Sequence, residues 1–461
     1  MAAANSSGEG DDDVAASYQE AFERMLDAPN RTEILGEPSD TPNTSRIRRS
    51  KIYWKVLKKR VGSHDKIEEQ RFAIKFTRYE EPIREREREA LDAMDGHDNI
   101  LTRHGYKRYP PVSEKEKEKE KKKGGKFTVV YQLLAPWKFS LAHDNLDETL
   151  REFCMSRLDV LKGLVKGLDF LASRKAPIVH RGISPEAILI CKNGDRMTTK
   201  IADFDLAKRI VDGNASAHTG SGIDDWKPPD KEATVKYDIF GAGLIFHYVL
   251  TNGNKASHGT LYKSATAHLV NDKGEENELN FSELNGMITE RQENPKSDTE
   301  FFHLGAFRHL ISRMLSRYPD KRPSAEEVGK HCALFNLEES EGFFRKIDHY
   351  GELKELDSVS ETKENWAAKL DECFSESLKH AKKADKKSQS ELARFVRNRI
   401  THFGESGQGN PQVNTAFDDR VSLLKYFLNL FPYLMHACEW KCLAGVALKL
   451  TRVETQKLSV L

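Results

Sequence analysis

The 461-residue sequence contains few cysteines, and their positions exclude the common cysteine-based metal sites. It has no CxxC pair and no cluster of Cys and His at the spacing of a zinc site. We therefore expect reduced thiols in an intracellular protein. The six cysteines are scattered along the chain: Cys154, Cys191, Cys332, Cys373, Cys438 and Cys442.

The sequence also lacks a targeting segment, a long apolar run and an excess of charge of either sign. The N-terminal MAAANSSGEGDDD has no basic start or apolar run of the signal-peptide kind, and no window holds about 18 consecutive apolar residues. The 73 basic and 72 acidic residues give a net charge of +1, so global charge predicts no particular partner. We expect a soluble, cytoplasmic protein with no membrane partner.

Length and composition predict two large folded parts after a short tail. The chain is long enough for two or three domains, and it shows no internal repeat, including no ankyrin-type period of about 33 residues. We predict a disordered acidic tail over residues 1–29, a mixed α and β domain over 30–335, and an almost all-α domain over 336–461. The charged run 113–126 is interpreted as a surface insertion, because β-like segments flank it.

The stretch SQSELARFVRNRITHFGE, residues 388–405, predicts a helix with two distinct sides. Apolar residues recur at helical spacing, a capping-box pattern opens the stretch, and Gly404 is a helix stop. At about 100° per residue, Glu391, Asn398 and His402 project to one polar side of this helix. A carboxylate, an amide and an imidazole therefore share a face.

Each of these residues also has an ordinary structural interpretation. Glu391 could be merely a helix-capping residue, Asn398 could be a solvated polar residue, and the His402 cation would suit the C-terminal end of the helix dipole.

Between Lys379 and Arg399, eight Lys or Arg stand against two acids, an excess that would attract a polyanion. A charged run is nevertheless more often a solvated helix face.

The middle of the chain carries six sequence blocks in the order found in protein kinases. They are FAIK with Lys75, a helical pattern after Glu87, VHRGISPEAILI, IADFDLAK with Asp203, WKPPD, and DKRPSAEEV. Strands are predicted in KIYWKVL, RFAIKF and FTVVYQLL, a helix in LDVLKGLVKGLDFLA, and two short strands after it in AILIC and TKIAD. Residues 30–335 thus resemble a protein kinase. The resemblance implies a bilobal fold with Lys75, Glu87 and Asp203 as nucleotide-binding residues, and Asp203 as the metal ligand.

Four departures from the kinase pattern bear on the chemistry. A kinase needs a catalytic-loop Asp to position the substrate hydroxyl and an Asn to hold magnesium, but Gly182 and Ala187 stand there. Ser184 replaces the usual lysine, and Asp205 replaces the glycine of the metal-binding segment. We therefore predict a pseudokinase that binds ADP or ATP with Mg²⁺ weakly.

The C-terminal part resembles the kinase-extension nuclease (KEN) domain of RNase L and of the inositol-requiring kinase/endoribonuclease of the unfolded-protein response. The resemblance rests on ENWAAKLDECF, on RN followed four residues later by His, and on FLNLFPYLMHACEW, in family order and spacing. The tyrosine expected shortly before the helix is absent, which leaves the general base open. The resemblance implies these ribonuclease-site residues: Trp366, Glu391, Arg397, Asn398, Arg399 and His402.

Together these inferences predict an α+β protein, a bilobal kinase-like fold followed by an all-α KEN-type ribonuclease. The implied activity is RNA cleavage in a homodimer by 2′-hydroxyl attack, which leaves a 2′,3′-cyclic phosphate and requires no cofactor. His402 would protonate the leaving oxygen, while Arg397, Asn398 and Arg399 would hold the phosphate. Two alternatives stay open, a catalytically silent scaffold that binds RNA or protein partners and an active serine/threonine kinase.

Overall fold

The computed structural model divides the chain into two compact units, residues 1–245 and 246–461. The structure describes residues 17–28, 35, 50–61, 66–79, 96–109, 128–134, 137–143, 145–210, 223–267, 278–297, 303–346, 365–381, 384–405, 411–435 and 437–438. In this part of the chain, no helix is both long enough and apolar enough to cross a membrane.

Both strands and helices are present, so the predicted α+β class is confirmed. The strands are β1 (Ser50–Val61), β2 (Lys66–Tyr79), β3 (Arg103–Tyr109), β4 (Thr128–Leu134), β5 (Phe139–Ser140), β6 (Ile178–Val179), β7 (Ile188–Asn193), β8 (Arg196–Ile201) and β9 (Lys208–Arg209). The helices are α1 (Tyr18–Asp27), α2 (Leu146–Glu152), α3 (Arg157–Ala172), α4 (Val235–Leu250), α5 (Lys255–Thr266), α6 (Ser282–Glu293), α7 (Leu304–Met314), α8 (Ala325–Lys330), α9 (Leu337–Lys346), α10 (Ser375–His380), α11 (Gln389–Thr401), α12 (Pro411–Ala416) and α13 (Arg420–Leu430). Short 3-10 turns lie at Pro185–Ala187, Phe204–Leu206, Pro319–Lys321, Cys332–Leu334, Trp366–Lys369 and Glu372–Phe374.

The four long strands form an antiparallel sheet in the order β1-β2-β4-β3. Side chains alternate along β2, as the period of a strand requires. Phe72 and Ile74 therefore join one apolar cluster, and Ala73 joins another on the opposite face. Lys75 has the same parity as Ala73, which places it on the face that lines the cleft described below.

Helix α1 covers the sheet face that carries Phe72 and Ile74. Its N-cap Ser17 accepts a hydrogen bond from the Glu20 N–H, and its buried residues recur at a spacing of four, which gives an apolar stripe. The stripe consists of Tyr18, Phe22 and Leu26. The predicted disordered tail over residues 1–29 is therefore wrong for residues 17–28, because burial of this stripe orders the helix; residues 1–16 lie outside the described chain.

A second sheet, β5-β7-β8, packs against α3. Two glycines permit this close approach: a Cβ at Gly163 would lie 2.7 Å from Thr199 Cβ, and one at Gly167 would lie 2.7 Å from Ile201 Cδ1. The predicted helix LDVLKGLVKGLDFLA is confirmed, as are the two strands after it. The GLVKG spacing is thus a packing feature of α3.

An aromatic cluster forms the core of the C-terminal helices. The ring centroid of Phe374 lies between 5.3 and 6.1 Å from those of four aromatic neighbours, which join the 3-10 turn before α10 to α11 and α13. Such pairs add to the area that each ring removes from water. The four neighbours are Phe395, Phe417, Tyr426 and Phe427.

These helices are also bonded to the kinase-like helix α6 within the same compact unit. The Asn429 side chain donates to the Pro295 carbonyl at 3.0 Å, and the Gln292 side chain donates to the Leu430 carbonyl at 3.3 Å. The unit 246–461 therefore extends across the predicted boundary at 335/336. The predicted domain boundaries stay a prediction, and the predicted insertion 113–126 lies outside the described residues.

Candidate functional site

A cleft of about 180 Å³ lies on the Lys75 face of the long sheet. Its walls combine apolar side chains with four carboxylates and one ammonium group. Lys75 is only 7% exposed, and its Nζ lies 2.5 Å from Asp203 Oδ1. The lining residues are Ile52, Lys75, Leu101, Leu134, Trp137, Ser184, Glu186, Leu189, Ala202, Asp203, Ile223, Asp224, Asp225 and Trp226.

The structure brings together two of the three predicted nucleotide-binding residues. Lys75 and Asp203 form an ion pair at the cleft, and Asp203 adopts a left-handed backbone with φ of 61°, which is uncommon for a residue other than glycine. Such a conformation persists where surrounding structure fixes it, and it occurs often at functional sites. Glu87 lies outside the described residues, so its predicted pairing with Lys75 stays a prediction.

The backbone of a kinase catalytic loop is present, but its catalytic side chains are not. The His180 and Arg181 N–H groups donate to the Asp238 carboxylate at 2.6 and 2.8 Å, which anchors the loop to α4. Gly182 follows without a side chain, and the buried Ala187 accepts a backbone hydrogen bond from Ala202. The fold of the loop therefore does not depend on the residues that phosphoryl transfer needs.

Helix α11 begins and ends close to the predicted positions. The Ser388 hydroxyl accepts from the Glu391 N–H at 3.1 Å, while the Glu391 carboxylate pairs with Arg394 at 2.6 Å instead of closing a capping box. His402 is the C-cap, and Gly404 has φ of +89°, which glycine adopts readily. The predicted helix and its stop are confirmed, and the capping box is confirmed only in its first half.

The predicted site residues on α11 fall into two groups. Asn398 and His402 lie one turn apart, and the His402 N–H donates to the Asn398 carbonyl at 3.1 Å. Arg397 reaches around the helix, and its Nε and one terminal nitrogen donate to Asn398 Oδ1 at 3.0 and 2.5 Å. Glu391 lies eleven residues before His402, roughly 16 Å along the axis, so both side chains cannot act on one phosphate.

Two further predicted residues are buried behind this face. Arg399 is 6% exposed and donates to the Ser377 hydroxyl at 3.1 Å, which joins α11 to α10. Trp366 is 3% exposed, its Nε1–H donates to the Asp385 carbonyl at 3.3 Å, and its ring packs on Phe395. Burial lowers the pKa of Arg399. In these positions both side chains support α11, and their predicted part in catalysis stays a prediction.

Sequence reasoning missed the partner of His402. The His402 Nδ1 atom lies 2.9 Å from Glu405 Oε2, three residues later and beyond the helix. Asn414 on α12 fixes the intervening turn, because its side chain accepts from the Gly404 N–H at 3.1 Å and donates to the Glu405 carbonyl at 3.2 Å. The only signal in the sequence was an acid one turn after His402, next to a glycine.

Comparison with known families gives two matches. Residues 63–333 match the Protein kinase domain, and residues 338–448 match Ribonuclease 2-5A.

The curated relatives have the same two-part character in their names. "Serine/threonine-protein kinase/endoribonuclease ire-1" of Caenorhabditis elegans is 28% identical over 298 residues, which cover 60% of this chain and 28% of that protein. "Serine/threonine-protein kinase/endoribonuclease IRE2" of Homo sapiens is 26% identical over 299 residues, which cover 60% and 30%. "Inactive serine/threonine-protein kinase/endoribonuclease IRE1-like" of Arabidopsis thaliana is 25% identical over 287 residues, which cover 54% and 46%. The chain thus spans less than half the length of each.

Fold and sites define a protein with a kinase-like part and an appended helical ribonuclease-type part. The chain belongs to the protein kinase family, and its pairing of a kinase domain with a Ribonuclease 2-5A domain is that of the IRE1 kinase/endoribonucleases.

Proposed function

We propose that this protein is an endoribonuclease whose site lies at the C-terminal end of α11. The observation that carries the proposal is the arrangement of His402, Asn398 and Arg397 within the last two turns of α11. An imidazole, an amide and a guanidinium are there on one accessible side of the helix. The endoribonuclease names of the relatives support the same activity.

The proposed reaction uses the RNA's own 2′-hydroxyl as the nucleophile. The 2′-oxygen forms a bond to the adjacent phosphorus, and the bond from phosphorus to the 5′-oxygen breaks. His402 in its charged form gives a proton to the leaving 5′-oxygen and is then reprotonated by water. The products are a 2′,3′-cyclic phosphate and a 5′-hydroxyl. The proton of the 2′-hydroxyl passes to a general base, which the absent tyrosine leaves unassigned.

We assign phosphate binding to Arg397. A guanidinium has five N–H donors, of which Asn398 accepts two, and this contact holds the group on the His402 side of α11. We assign Arg399 and Trp366 to the support of α11, because both are buried against neighbouring segments. The basic segment 379–399 would attract the RNA backbone and make binding depend on salt.

We propose that the kinase-like half transfers no phosphate. Positioning and charge neutralisation are nearly all that a kinase supplies, and Gly182 and Ala187 lack the carboxylate and the amide for these tasks. The apolar walls of the cleft support the proposal that ADP or ATP binds there, with Lys75 and Asp203 as the residues that would hold its phosphates and metal. A bound nucleotide would supply stabilisation of the fold, and RNA cleavage does not require it.

Self-association is the proposed means of activation, with a two-fold arrangement in which each protomer presents its basic segment 379–399 to the same RNA. Specific activity should then rise with protein concentration before it levels. Strict proportionality between rate and concentration, from a species that sediments as a monomer, would contradict this proposal. The cytoplasmic location expected from the sequence stays a prediction.

The nuclease proposal is tested with a 5′-labelled stem-loop RNA in the presence of EDTA. We expect cleavage to ends that resist phosphatase until acid opens the cyclic phosphate. His402→Ala and Arg397→Ala should each lose this activity. If both variants cleave at the wild-type rate, the polar side of α11 is ordinary helix surface.

A silent scaffold is the second candidate, and two observations favour it. One relative is named an inactive kinase/endoribonuclease, and the expected tyrosine before α11 is absent from this sequence. A scaffold would bind the same stem-loop RNA in a gel-shift assay without cutting it. Loss of that binding in Arg397→Ala, together with wild-type protein that never cleaves, would establish the scaffold.

A further inference from the structure

The turn after α11 holds an imidazole and a carboxylate in contact. His402 Nδ1 lies 2.9 Å from Glu405 Oε2, so Nδ1–H donates to the carboxylate. The other ring nitrogen, Nε2, is then the one that gains and loses the catalytic proton. Because the neutral ring has one N–H, a carboxylate on Nδ1 selects the tautomer that leaves Nε2 as the acceptor.

The backbone around Glu405 is fixed from two neighbouring helices. Asn414 on α12 bonds both the Gly404 N–H and the Glu405 carbonyl, at 3.1 and 3.2 Å. Arg420, at the start of α13, donates to the Phe403 carbonyl at 3.5 Å. The Glu405 N–H returns to the His402 carbonyl at 3.2 Å. The backbone of the surface turn that carries the carboxylate is therefore held by hydrogen bonds to α12 and α13.

We propose that Glu405 is a positioning residue for His402 in RNA cleavage. This inference rests on the proposed nuclease function, and it adds a residue that acts through His402 without touching the RNA. The carboxylate orients the imidazole ring, keeps the proton on Nδ1 after transfer, and stabilises the imidazolium before transfer. In that role Glu405 lowers the barrier of the chemical step and leaves the affinity for RNA unchanged.

The exposure of the pair sets the size of the effect. The His402 and Glu405 side chains are 39% and 62% exposed, so water screens the charge interaction. Removal of a partner that orients a metal-ligating histidine typically costs about 10- to 100-fold in metal affinity or activity, and we take this range as the scale for His402. We therefore expect a loss near the lower end of this range, about 10-fold in kcat.

The test measures kcat and KM on the labelled stem-loop RNA for the full chain, at a protein concentration where specific activity has levelled. Glu405→Ala should lower kcat about 10-fold with KM unchanged. Glu405→Gln, whose amide oxygen still accepts from Nδ1–H, should retain most of the wild-type rate. The matched control is Glu326→Ala, which removes an exposed carboxylate paired with Lys330 on α8 and should leave kcat unchanged.

A double variant separates positioning from a merely structural role. In the His402→Ala background, Glu405→Ala should cause no further loss, because the carboxylate acts only through the imidazole. Wild-type kcat in Glu405→Ala, beside an inactive His402→Ala, would overturn this inference alone. An equal further loss in both backgrounds would also overturn it. Wild-type cleavage by His402→Ala would instead overturn the proposed function, and this inference with it.

Discussion

The kinase-like cleft and the end of α11 differ in what each has retained. The cleft keeps the architecture of a kinase site, with its catalytic loop anchored to Asp238 and its Lys75–Asp203 pair, but Gly182 and Ala187 stand at the chemical positions. The end of α11 has a much smaller framework, one helix and a turn, yet it carries His402. Under the functions proposed above, one region keeps the backbone of a site, and the other carries reactive groups.

Under the functions proposed above, the backbone of a site persists without the residues of its chemistry. The catalytic loop is held by backbone hydrogen bonds and by a buried aspartate, so substitution of its catalytic side chains leaves those contacts in place. At α11 the buried stripe fixes the helix, and the polar side is not needed for that packing. Residues on such a side are therefore either functional or free to vary.

The largest expected effect is at His402. His402→Ala should lower RNA cleavage by about 10²–10⁴-fold, the usual contribution of a positioned general acid, while the fold persists because the side chain is partly exposed. Glu391→Gln should do less harm, since Glu391 lies roughly 16 Å away along the helix. Cleavage of the stem-loop RNA and the melting temperature are measured for each variant.

A result in the opposite order would break the contrast between the two regions. If Glu391→Gln abolished cleavage and His402→Ala did not, the reactive group would lie at the start of α11 and the assignment here would be wrong. A parallel loss of melting temperature in His402→Ala would show that the residue is structural. Lys75→Ala serves as the cleft control and should leave cleavage near the wild-type rate at a protein concentration where specific activity has levelled.

The next largest effect concerns the packing of kinase-like helix α7 against the nuclease segment after α13. A Cβ at Gly305 would overlap the Pro432 carbonyl, which is backbone and cannot rotate away. Gly305→Ala should therefore destabilise the unit by about 1–3 kcal/mol. Gly342→Ala, on α9 with open space around it, should be neutral or stabilise by about 0.5–1 kcal/mol.

Urea denaturation of both variants, followed by tryptophan fluorescence, would measure the two changes in the free energy of unfolding. Equal effects would show that the kinase-like helix and the nuclease segment do not depend on this contact.

The sequence predicted regular elements well where the apolar period was long. Helix α3 and strands β7 and β8 lie where the pattern placed them, because their buried faces leave little choice of register. Helix α1 was missed because its stripe is short and follows an acidic segment, and only contact with the sheet makes it stable.

The site was predictable only along one helix. Spacing on α11 placed Asn398 and His402 on one side, because helical geometry is local. The same reasoning could not show that Arg399 would be buried against Ser377, or that Asn414 would hold the turn with Glu405. Those contacts join residues nine or more positions apart and depend on tertiary packing.

Acid should weaken the nuclease-bearing unit through two of its buried histidines. Burial lowers the pKa of His247 to about 4 and that of His303 to about 3. Both folded-state pKa values lie below the ordinary value of about 6.5. The stability that the neutral histidines contribute is therefore fully present above that pH, and it is lost as pH falls toward the folded-state pKa values. At about pH 5 each histidine should lower the free energy of unfolding by about 2 kcal/mol.

Melting temperatures measured from neutral pH to about pH 5 would check this prediction. His303→Gln removes one titrating group, so its melting temperature should depend less steeply on pH than that of the wild type. A curve as steep as the wild type would assign the acid sensitivity to other groups. Acid unfolding that began in unit 1–245 would contradict the expectation that unit 246–461 loses its stability first.

The smallest expected effect is nucleotide binding in the cleft, and it tests what the retained scaffold still does. A ligand that binds only the folded state stabilises it by mass action, so ADP with Mg²⁺ at ten times its dissociation constant should add about 1.4 kcal/mol. Lys75→Ala should abolish the resulting rise in melting temperature, because Lys75 pairs with Asp203 at the cleft and is the residue proposed to hold the phosphates. The Lys330→Ala variant, on the exposed surface of α8, is the matched control and should keep the rise. A rise of equal size in Lys75→Ala would place the nucleotide elsewhere. No rise in the wild type, with ADP or ATP, would mean that the cleft keeps the shape of a kinase site without its ligand.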